Sequence, residues 1–199
     1  GNNLDGNKYI KDAIKNGSKI IISEKVKERF ENNILYLKNK NPRRLLAEFA
    51  LKLNNQHPNN LVAVTGTNGK SSIANFYYQI LKLNKKKVAS IGTLGIEGIN
   101  YKKNISNTTY DPIILNKILT ILKKKKINNV ILEASSHGLK QHRLDGLKFN
   151  LGIFTNLSRD HLDYHKTFQD YFDSKLILFK KLMKKKSNII FDEDLTITN

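Results

Sequence analysis

The chain has 199 residues and a mass of 22.8 kDa, enough for one sizeable core with a small additional module. It contains no cysteine and no tryptophan, which excludes disulfide bonds, zinc–thiolate sites, cysteine nucleophiles and iron–sulfur clusters. No apolar stretch approaches the roughly 18 residues of a spanning helix, and the first residues lack the apolar core of a signal peptide. We therefore expect a cytoplasmic protein without a membrane span.

The net charge of +18, from 35 Lys and Arg against 17 Asp and Glu, predicts attraction to nucleic acid, acidic membranes or small phosphorylated substrates. Three lysine runs, at residues 85–87, 123–126 and 184–186, each follow an apolar helical pattern. Lysines at such positions complement the C-terminal end of a helix, and an AT-rich genome would also enrich lysine. The helical spacing of the aromatic residues predicts buried stripes, which argues against a nucleic-acid partner; these residues are Phe76, Tyr77, Phe168 and Phe172.

Residues 1–39 have the pattern of the end of a small α/β module, with a helix near residues 8–15 and a strand at 19–23. So short a module buries little apolar surface, so we expect that sequence upstream is missing. Residues 40–199 form the second predicted domain, in which Asn41-Pro42 opens an amphipathic helix at residues 45–53.

From Leu61 onward the pattern alternates between strands and helices. Predicted strands cover residues 61–65, 88–91, 129–133, 151–155 and 188–191. Predicted helices follow the glycine loop at 66–69, begin at Asp111-Pro112, and run from Thr167 to Met183. This order predicts an α/β fold with a mostly parallel sheet flanked by helices, and with ligands at the carboxyl ends of the strands.

The strongest local motif is VTGTNGKSS at residues 64–72, in which a glycine loop joins a strand to a helix. Backbone amides at such a helix start bind phosphates, the lysine reaches the outer phosphates, and the next hydroxyl holds Mg²⁺. Val64 stands where the generic phosphate loop has its first glycine. An ordinary strand-to-helix turn is the alternative interpretation.

Two further motifs follow predicted buried strands. LEASSHGL at residues 132–139 places Glu133 at a strand end, where it can ligate Mg²⁺ or be a solvated carboxylate followed by capping serines. TNLSRDHLDYH at residues 155–165 places two histidines and two aspartates within six residues, a pattern that suits either a metal or substrate site or a polar loop with helix caps.

Lys175 occupies an apolar position on the last predicted helix, in one stripe with Phe168, Phe172, Phe179 and Leu182. Burial of a free ammonium costs several kcal/mol. The side chain could extend its head to solvent, or it could be carbamylated and ligate a metal.

The segments GTNGKSS, NTTYDP, EASSHGLKQHRLDG and NLSRDHLDYH, in this order and spacing, resemble the Mur ligases of peptidoglycan synthesis. The first segment is also shared with folylpolyglutamate synthases, whereas SSHGLKQHR is most similar to the branch that extends UDP-N-acetylmuramoyl-L-alanyl-D-glutamate. The resemblance covers nearly the whole chain. It implies an ATP- and Mg²⁺-dependent acid–amino-acid ligase that adds meso-diaminopimelate or L-lysine through an acyl phosphate, for cell-wall growth, cell shape and division. Another Mur ligase or a folylpolyglutamate synthase-like ligase is the alternative.

The resemblance also implies roles for individual residues. The ATP-binding set is Gly66, Thr67, Asn68, Gly69, Lys70, Ser71 and Ser72. The catalytic set is Lys70, Glu133, His161 and Lys175, and the metal ligands are Ser71, Glu133, His161 and carbamylated Lys175. The residues implied to bind the UDP-muramoyl dipeptide are Asn2, Asn3, Leu4, Asn107, Thr108, Thr109, Ser135, Gln141 and Arg143.

The sequence departs from the family pattern at two motif positions and in the domains that it covers. Ser71-Ser72 replaces the more usual Thr-Thr but keeps the hydroxyl groups, and Tyr110 stands where proline is common. We expect residues 1–39 to be the end of the UDP-binding domain, residues 40–199 an incomplete ATP-binding domain, and the C-terminal amino-acid-binding domain to be absent. The chain is accordingly expected to be a monomeric fragment whose own activity is an open question.

Overall fold

The computed structural model describes residues 5–100 and 107–192. It divides into two compact units, Gly1–Leu45 and Leu46–Asn199. Asn2, Asn3 and Leu4, which the resemblance assigns to the substrate, lie outside the described residues. Within the described part of the chain, no helix has the length and apolarity to cross a bilayer.

The first unit contains a three-stranded sheet in the order β1-β3-β2. A 3-10 turn (Gly6–Tyr9) leads into α1 (Ile10–Lys15), which is followed by β1 (Ile20–Ser23), β2 (Arg29–Glu31) and β3 (Ile34–Lys38). β1 and β3 are parallel, whereas β2 and β3 are an antiparallel hairpin joined by Asn32 and Asn33, both at positive φ. Asparagine tolerates this conformation, which two-residue hairpin turns require. Ile21, Ile34 and Tyr36 form the small buried core.

Helix α2 (Pro42–Leu53) begins at the proline, three residues before the predicted start. The second unit then continues with a six-stranded sheet in the order β6-β5-β7-β4-β8-β9. Its strands are β4 (Asn60–Thr65), β5 (Val88–Gly92), β6 (Gly95–Glu97), β7 (Asn129–Glu133), β8 (Phe149–Phe154) and β9 (Met183–Phe191). Only the short β6 is antiparallel to its neighbour, so the predicted mostly parallel sheet is confirmed.

Helices cover both faces of this sheet. They are α3 (Lys70–Leu83), α4 (Pro112–Lys124), α5 (Ser136–Lys140), α6 (Leu162–His165) and α7 (Phe168–Ile177). The predicted apolar face of α4 contributes four buried side chains to the larger core: Leu115, Ile118, Leu119 and Leu122. Ala74 of α3 packs with Val62, Val64 and Ile131 in a separate cluster. The larger cluster, with several side chains at 0% exposure, is the main apolar stabilisation of the unit.

The local start signals are confirmed in the structure. The Asp111 side chain accepts hydrogen bonds from the amides of Ile113 and Ile114, and Thr167 accepts one from the amide of Asp170. Each cap satisfies amides that have no partner within the helix. The boundaries of α4 and α7 therefore follow from their own first residues.

Three expectations about elements are wrong. The last helix ends at Ile177, a π-helix covers Leu178–Leu182, and β9 starts at Met183, so lysines 184–186 lie in a strand and not at a helix end. Phe76 is 57% exposed and therefore does not lie on a buried stripe, whereas Tyr77, Phe168 and Phe172 are partly buried. Strand β6 was not anticipated because three residues are too few for a periodic pattern.

The strand order places the candidate motifs side by side. Strands β5, β7, β4 and β8 are parallel neighbours, so their carboxyl ends meet at one edge of the sheet. Gly92, Glu133, Thr65 and Phe154 are the last residues of these strands. Polar loops that follow them are consequently brought together, as is usual for parallel α/β sheets.

Candidate functional site

The glycine loop at residues 66–69 joins β4 to α3 in the way that phosphate-binding loops do. Gly66 has φ +148° and passes so close to β8 that a Cβ there would overlap Oγ1 of Thr155. Gly69 has φ +81° and is the N-cap of α3, so the first amides of that helix point out of its end. Such amides and the helix dipole favour an anion at this position.

The loop is held by residues that follow β8. The amide of Thr67 donates to the carbonyl of Asn156 at 3.0 Å, and the amide of Asn68 donates to Oδ1 of Asn156 at 2.9 Å. The hydroxyl of Thr155 donates to the carbonyl of Asn68 at 2.6 Å. The loop shape therefore depends on the first residues of TNLSRDH, a supporting role that the sequence analysis did not assign to them.

Two lysines converge on the loop from different helices. Nζ of Lys70 donates to the carbonyls of Gly66 and Thr67 at 3.0 and 2.7 Å, and Nζ of Lys175 donates to the same Gly66 carbonyl at 2.6 Å. Burial lowers the pKa of Lys70, although Glu133 and Asp160 partly oppose this effect. Neither lysine forms an ion pair within the described residues. The site therefore concentrates positive charge beside amides that favour an anion.

Lys175 is buried, with 1% of its surface exposed. Burial, followed by repulsion from Lys70, lowers its pKa to about 7. Its ammonium lies 4.3 Å from the centre of the Tyr171 ring, a cation–π contact. Extension of the side chain to solvent, one of the two interpretations of this position, is therefore excluded.

Glu133 lies beside the loop because β7 pairs with β4 in a register that opposes Glu133 to Val64. It is 3% exposed, and its carboxylate accepts hydrogen bonds from the amide and the hydroxyl of Thr93 at 3.1 and 2.9 Å. A Cβ at Gly92 would overlap this carboxylate, so the glycine makes room for it. The solvated-carboxylate interpretation of Glu133 is therefore wrong.

The histidines of TNLSRDHLDYH have different environments. His161, in the left-handed conformation at φ +52°, is half-exposed, and its ring lies 3.6 Å from a carboxylate oxygen of Asp160. His165 is buried and lies within hydrogen-bond distance of Ser136 Oγ at 2.9 Å. Burial, together with His137 and Lys140, lowers the pKa of His165 to about 4, so this ring is neutral and structural at pH 7.

Four of the residues assigned to the dipeptide form a connected hydrogen-bond network: Thr109, Ser135, Gln141 and Arg143. Thr109 Oγ1 lies 2.9 Å from both the carbonyl of Glu133 and Oγ of Ser135. The Arg143 guanidinium donates to the carbonyl of Thr109 at 2.6 Å and to Oε1 of Gln141 at 2.8 Å. The network holds the loop after β7 against residues 108 and 109.

A cavity of about 280 Å³ lies at this edge of the sheet. Among the predicted site residues, those that line it are Thr67, Asn68, Gly69, Lys70, Ser71, Ser72, Thr108, Glu133, Ser135, His161 and Lys175. Those that do not line it are Gly66, Asn107, Thr109, Gln141 and Arg143. Gly66 and Thr109 contact lining residues, Arg143 donates to Thr109 and Gln141 behind them, and Asn107 is exposed.

Three lining residues were not predicted: Thr93, Ser136 and Tyr171. The position of Thr93 directly after β5, at the same sheet edge as Glu133, was an available signal. Tyr171 lies one helical turn before Lys175, and its hydroxyl donates to Thr67 Oγ1 at 3.1 Å. Together with Lys175, it links α7 to the glycine loop.

The cavity fits a magnesium ion that arrives with phosphates. The hydroxyl of Ser71 and the carboxylate of Glu133 are hard oxygen donors, and Mg²⁺ in phosphate sites takes one or two such protein ligands with waters and phosphate oxygens. Within residues 5–100 and 107–192, no group of three His, Asp and Glu side chains is arranged to hold a metal by itself.

Comparisons with known proteins point in one direction. The Mur ligase middle domain family matches residues 64–199. The UDP-N-acetylmuramoyl-L-alanyl-D-glutamate--2,6-diaminopimelate ligase of Wigglesworthia glossinidia brevipalpis is 41% identical over 203 residues, covering 97% of this chain and 40% of that protein. The ligase of the same name from Brucella melitensis biotype 1 is 40% identical over 195 residues, covering 98% and 40%. The chain thus spans about two fifths of the length of these curated relatives.

Solved structures agree with these matches. A structure of UDP-N-acetylmuramoyl-L-alanyl-D-glutamate--2,6-diaminopimelate ligase superposes with a TM-score of 0.76 at 30% identity, covering 95% of this chain and 38% of that one. The MurF ligase of Thermotoga maritima, solved in complex with ADP, superposes with a TM-score of 0.58 at 21% identity, covering 98% and 41%. The second likeness supports the fold alone.

Proposed function

This chain belongs to the Mur ligase family, and we propose that it is the nucleotide-binding region of an ATP-dependent ligase that extends UDP-N-acetylmuramoyl-L-alanyl-D-glutamate. The amino acid added is diaminopimelate, which we take to be the meso form, because the relatives at about 40% identity are named for 2,6-diaminopimelate. The reaction belongs to peptidoglycan synthesis in the cytoplasm, and we expect the protein to act as a monomer. A folylpolyglutamate synthase-like activity is supported only by fold similarity at 14% identity.

One observation carries the nucleotide proposal: the partly buried Lys70 ammonium donates to the loop carbonyls of Gly66 and Thr67 and forms no ion pair within the described residues. It lies beside loop amides that favour a phosphate. A bound triphosphate would accept hydrogen bonds from Lys70 in place of the loop carbonyls. The arrangement therefore suits the binding of a phosphate.

Magnesium would be held by Ser71 and Glu133, with His161 and a carbamylated Lys175 serving a second ion. Two such cations would offset the repulsion between the substrate carboxylate and the γ-phosphate. Thr93 fixes the position of the Glu133 carboxylate by donating to both of its oxygens. A carbamate at Lys175 is supported by its pKa of about 7, since only the neutral amine reacts with CO₂.

The chemistry proposed is the formation of an amide through an acyl phosphate. The terminal glutamyl carboxylate attacks the γ-phosphorus and ADP leaves; the incoming amine then attacks the acyl carbon and phosphate leaves. Lys70 stabilises the charge that develops on the transferred phosphoryl group. Ser135 and Thr108, which line the cavity, together with Thr109, Gln141 and Arg143 behind them, position the dipeptide.

The test of nucleotide binding is a titration of the chain with a fluorescent ATP analogue in the presence of Mg²⁺. Lys70→Ala should weaken binding about tenfold to a hundredfold, because a hydrogen bond to a charged phosphate is lost. Lys82→Ala is the matched control, since Lys82 lies on the same helix and is exposed. Equal affinities of the two variants would contradict the phosphate assignment of Lys70.

The ligase reaction is tested in the longer protein that we expect to contain this chain. Phosphate release should require both the UDP-linked dipeptide and meso-diaminopimelate, and Lys70→Ala should lower kcat on the order of 10² or more. Release that instead depends on a folate and glutamate would identify the alternative activity.

A further inference from the structure

The five parallel strands of the second unit begin at the sheet edge opposite to the cavity, and lysines surround those strand starts. Residues 85–87 precede β5, residues 123–126 precede β7, Lys148 precedes β8, and residues 184–186 follow the first residue of β9. We call these eleven residues the amino-edge band: Lys85, Lys86, Lys87, Lys123, Lys124, Lys125, Lys126, Lys148, Lys184, Lys185 and Lys186. All except the partly buried Lys123 are exposed.

Hydrogen bonds show that the band is continuous across neighbouring strands. Nζ of Lys123 donates to Oδ1 of Asn59 at 2.7 Å, and Nζ of Lys184 donates to the backbone carbonyl of Asn59 at 3.2 Å. Asn59 directly precedes β4, so lysines from both sides of the sheet meet in front of the central strands. The order β5-β7-β4-β8-β9 and a spacing of about 4.8 Å between strands give a band about 20 Å long.

The band has no acidic residues among its neighbours in sequence. The segments that form this edge are residues 54–62, 82–91, 117–132, 146–152 and 180–191, and they contain no Asp or Glu. Asp145, just before one of them, lies 2.8 Å from His142. In the described part of the chain, no lysine of the band forms an ion pair. So large a field of one sign, without internal compensation, is built for an external anion.

Helix ends account for only part of this surface, because Lys123 and Lys124 lie in the last turn of α4 and residues 85–87 follow the end of α3. Lysines 184–186 lie in a strand, where no helix dipole is complemented. Lys85, Lys126 and Lys186 have φ between 57° and 61°, a conformation in which glycine or asparagine is the usual residue. Lysine is therefore present at backbone positions that it does not favour.

The chemistry of the band indicates the kind of anion. The five edge segments contain no arginine, the residue suited to bidentate contacts with bases and phosphates. Their two phenylalanines offer no stacking surface beside the lysines, because Phe149 is buried and Phe191 lies at the other end of β9. A leucine beside the band is strongly exposed: Leu83, two residues before Lys85, is 82% exposed. Clustered lysines with exposed apolar side chains are characteristic of proteins that bind the surface of an anionic bilayer.

We propose that the amino-edge band docks this chain on the surface of an anionic lipid bilayer. The cavity lies at the opposite ends of the same strands, so it faces the aqueous phase in that orientation and stays open to substrates. Each lysine near an anionic surface strengthens binding about fivefold, so the loss of three weakens it about a hundredfold.

The test is cosedimentation of the 199-residue chain with vesicles made of equal parts of phosphatidylcholine and phosphatidylglycerol, beside vesicles of phosphatidylcholine alone. Binding should require the anionic lipid and should be lost when NaCl rises from about 0.1 M to about 1 M, because the Debye length falls from about 10 Å to about 3 Å. Saturating Mg-ATP should not release the protein, since its proposed site is at the other sheet edge. Release of the protein from the vesicles by Mg-ATP would contradict a docking surface that is separate from the nucleotide site.

Matched variants distinguish the contribution of the amino-edge band to vesicle binding from that of net charge. One band variant combines Lys124→Gln, Lys125→Gln and Lys126→Gln. The other combines Lys85→Gln, Lys86→Gln and Lys87→Gln. The control variant replaces Lys11, Lys15 and Lys19 of the first unit with glutamine and so removes the same charge. Circular dichroism checks that each variant is folded. The proposal is overturned if the control loses vesicle binding as much as the band variants do. It is also overturned if a labelled DNA duplex binds the chain more tightly than the vesicles at the same salt concentration and only the band variants lose this DNA binding.

Discussion

Replacement of Lys175 by methionine should stabilise the fold at neutral and acidic pH. Methionine keeps the length and the apolar stem of the side chain but removes the ammonium. The pKa of Lys175 falls from 10.5 to about 7, and one pKa step corresponds to about 1.4 kcal/mol, so the protonated side chain costs on the order of 5 kcal/mol in stability. The variant also loses the hydrogen bond to Gly66, worth about 1.5 to 3 kcal/mol, which leaves a net gain of about 2 to 3 kcal/mol.

The gain should depend on pH in a defined direction. Below about pH 7, Lys175 is protonated in both the folded and the unfolded chain, so its full burial penalty is present. Between about pH 7 and 10.5 the unfolded chain binds more protons than the folded one, and the stability of the unmodified protein therefore rises with pH. The advantage of Lys175→Met should shrink over this range and vanish before its upper end.

The assay is urea unfolding followed by circular dichroism in CO₂-free buffer, at several values from about pH 6 to about pH 10. Lys82→Met is the control, because the Lys82 ammonium on α3 is solvated before and after unfolding. Its stability difference from the unmodified protein should stay the same at every pH. A Lys175→Met protein that is less stable at every pH would show that the buried ammonium is a net stabilising group, and the reasoning would be refuted.

Two further predictions concern catalysis in the longer ligase. Lys175→Ala should nearly abolish turnover and short carboxylic acids should partly restore it by replacing the proposed carbamate; normal turnover at saturating Mg²⁺ would rule the carbamate out. Arg143→Lys should raise KM for the UDP-linked substrate more than KM for ATP, because lysine cannot reproduce the paired contacts to Thr109 and Gln141. Equal changes in both KM values, measured by phosphate release, would mean that Arg143 is only structural.

The strands and helices of the second unit were predictable because their signals are local. Asp111 and Thr167 cap the helices that they precede, and the apolar spacing from Leu115 to Leu122 defines the buried face of α4. The glycine loop was predictable for the same reason, since its glycines and Lys70 lie within five residues of one another. The π-helix at Leu178–Leu182 is an exception, because its apolar residues continue the helical spacing of α7 and the sequence pattern carries no signal for the change of helix type.

The site itself depends on contacts that sequence spacing does not encode. Thr93 and Glu133 are forty residues apart, and only the pairing of β5 with β7 makes one the hydrogen-bond partner of the other. Likewise, the contacts of Thr155 and Asn156 with the glycine loop exist because β8 lies beside β4. Thr93 and Tyr171 were missed because single polar residues carry no periodic signal.

By itself, the sequence determined the alternation of strands and helices, the phosphate-loop motif and the excess of lysine over acidic residues, since each depends on residue type and short-range spacing. The tertiary structure alone decided where those charges act. The parallel sheet places Glu133, Lys70 and Lys175 at its carboxyl edge and the lysine runs at its amino edge, although they alternate along the chain. The physical reason is that every parallel strand must return to the same starting edge, so a sequence that repeats strand, loop and helix sorts its loops onto two opposite surfaces.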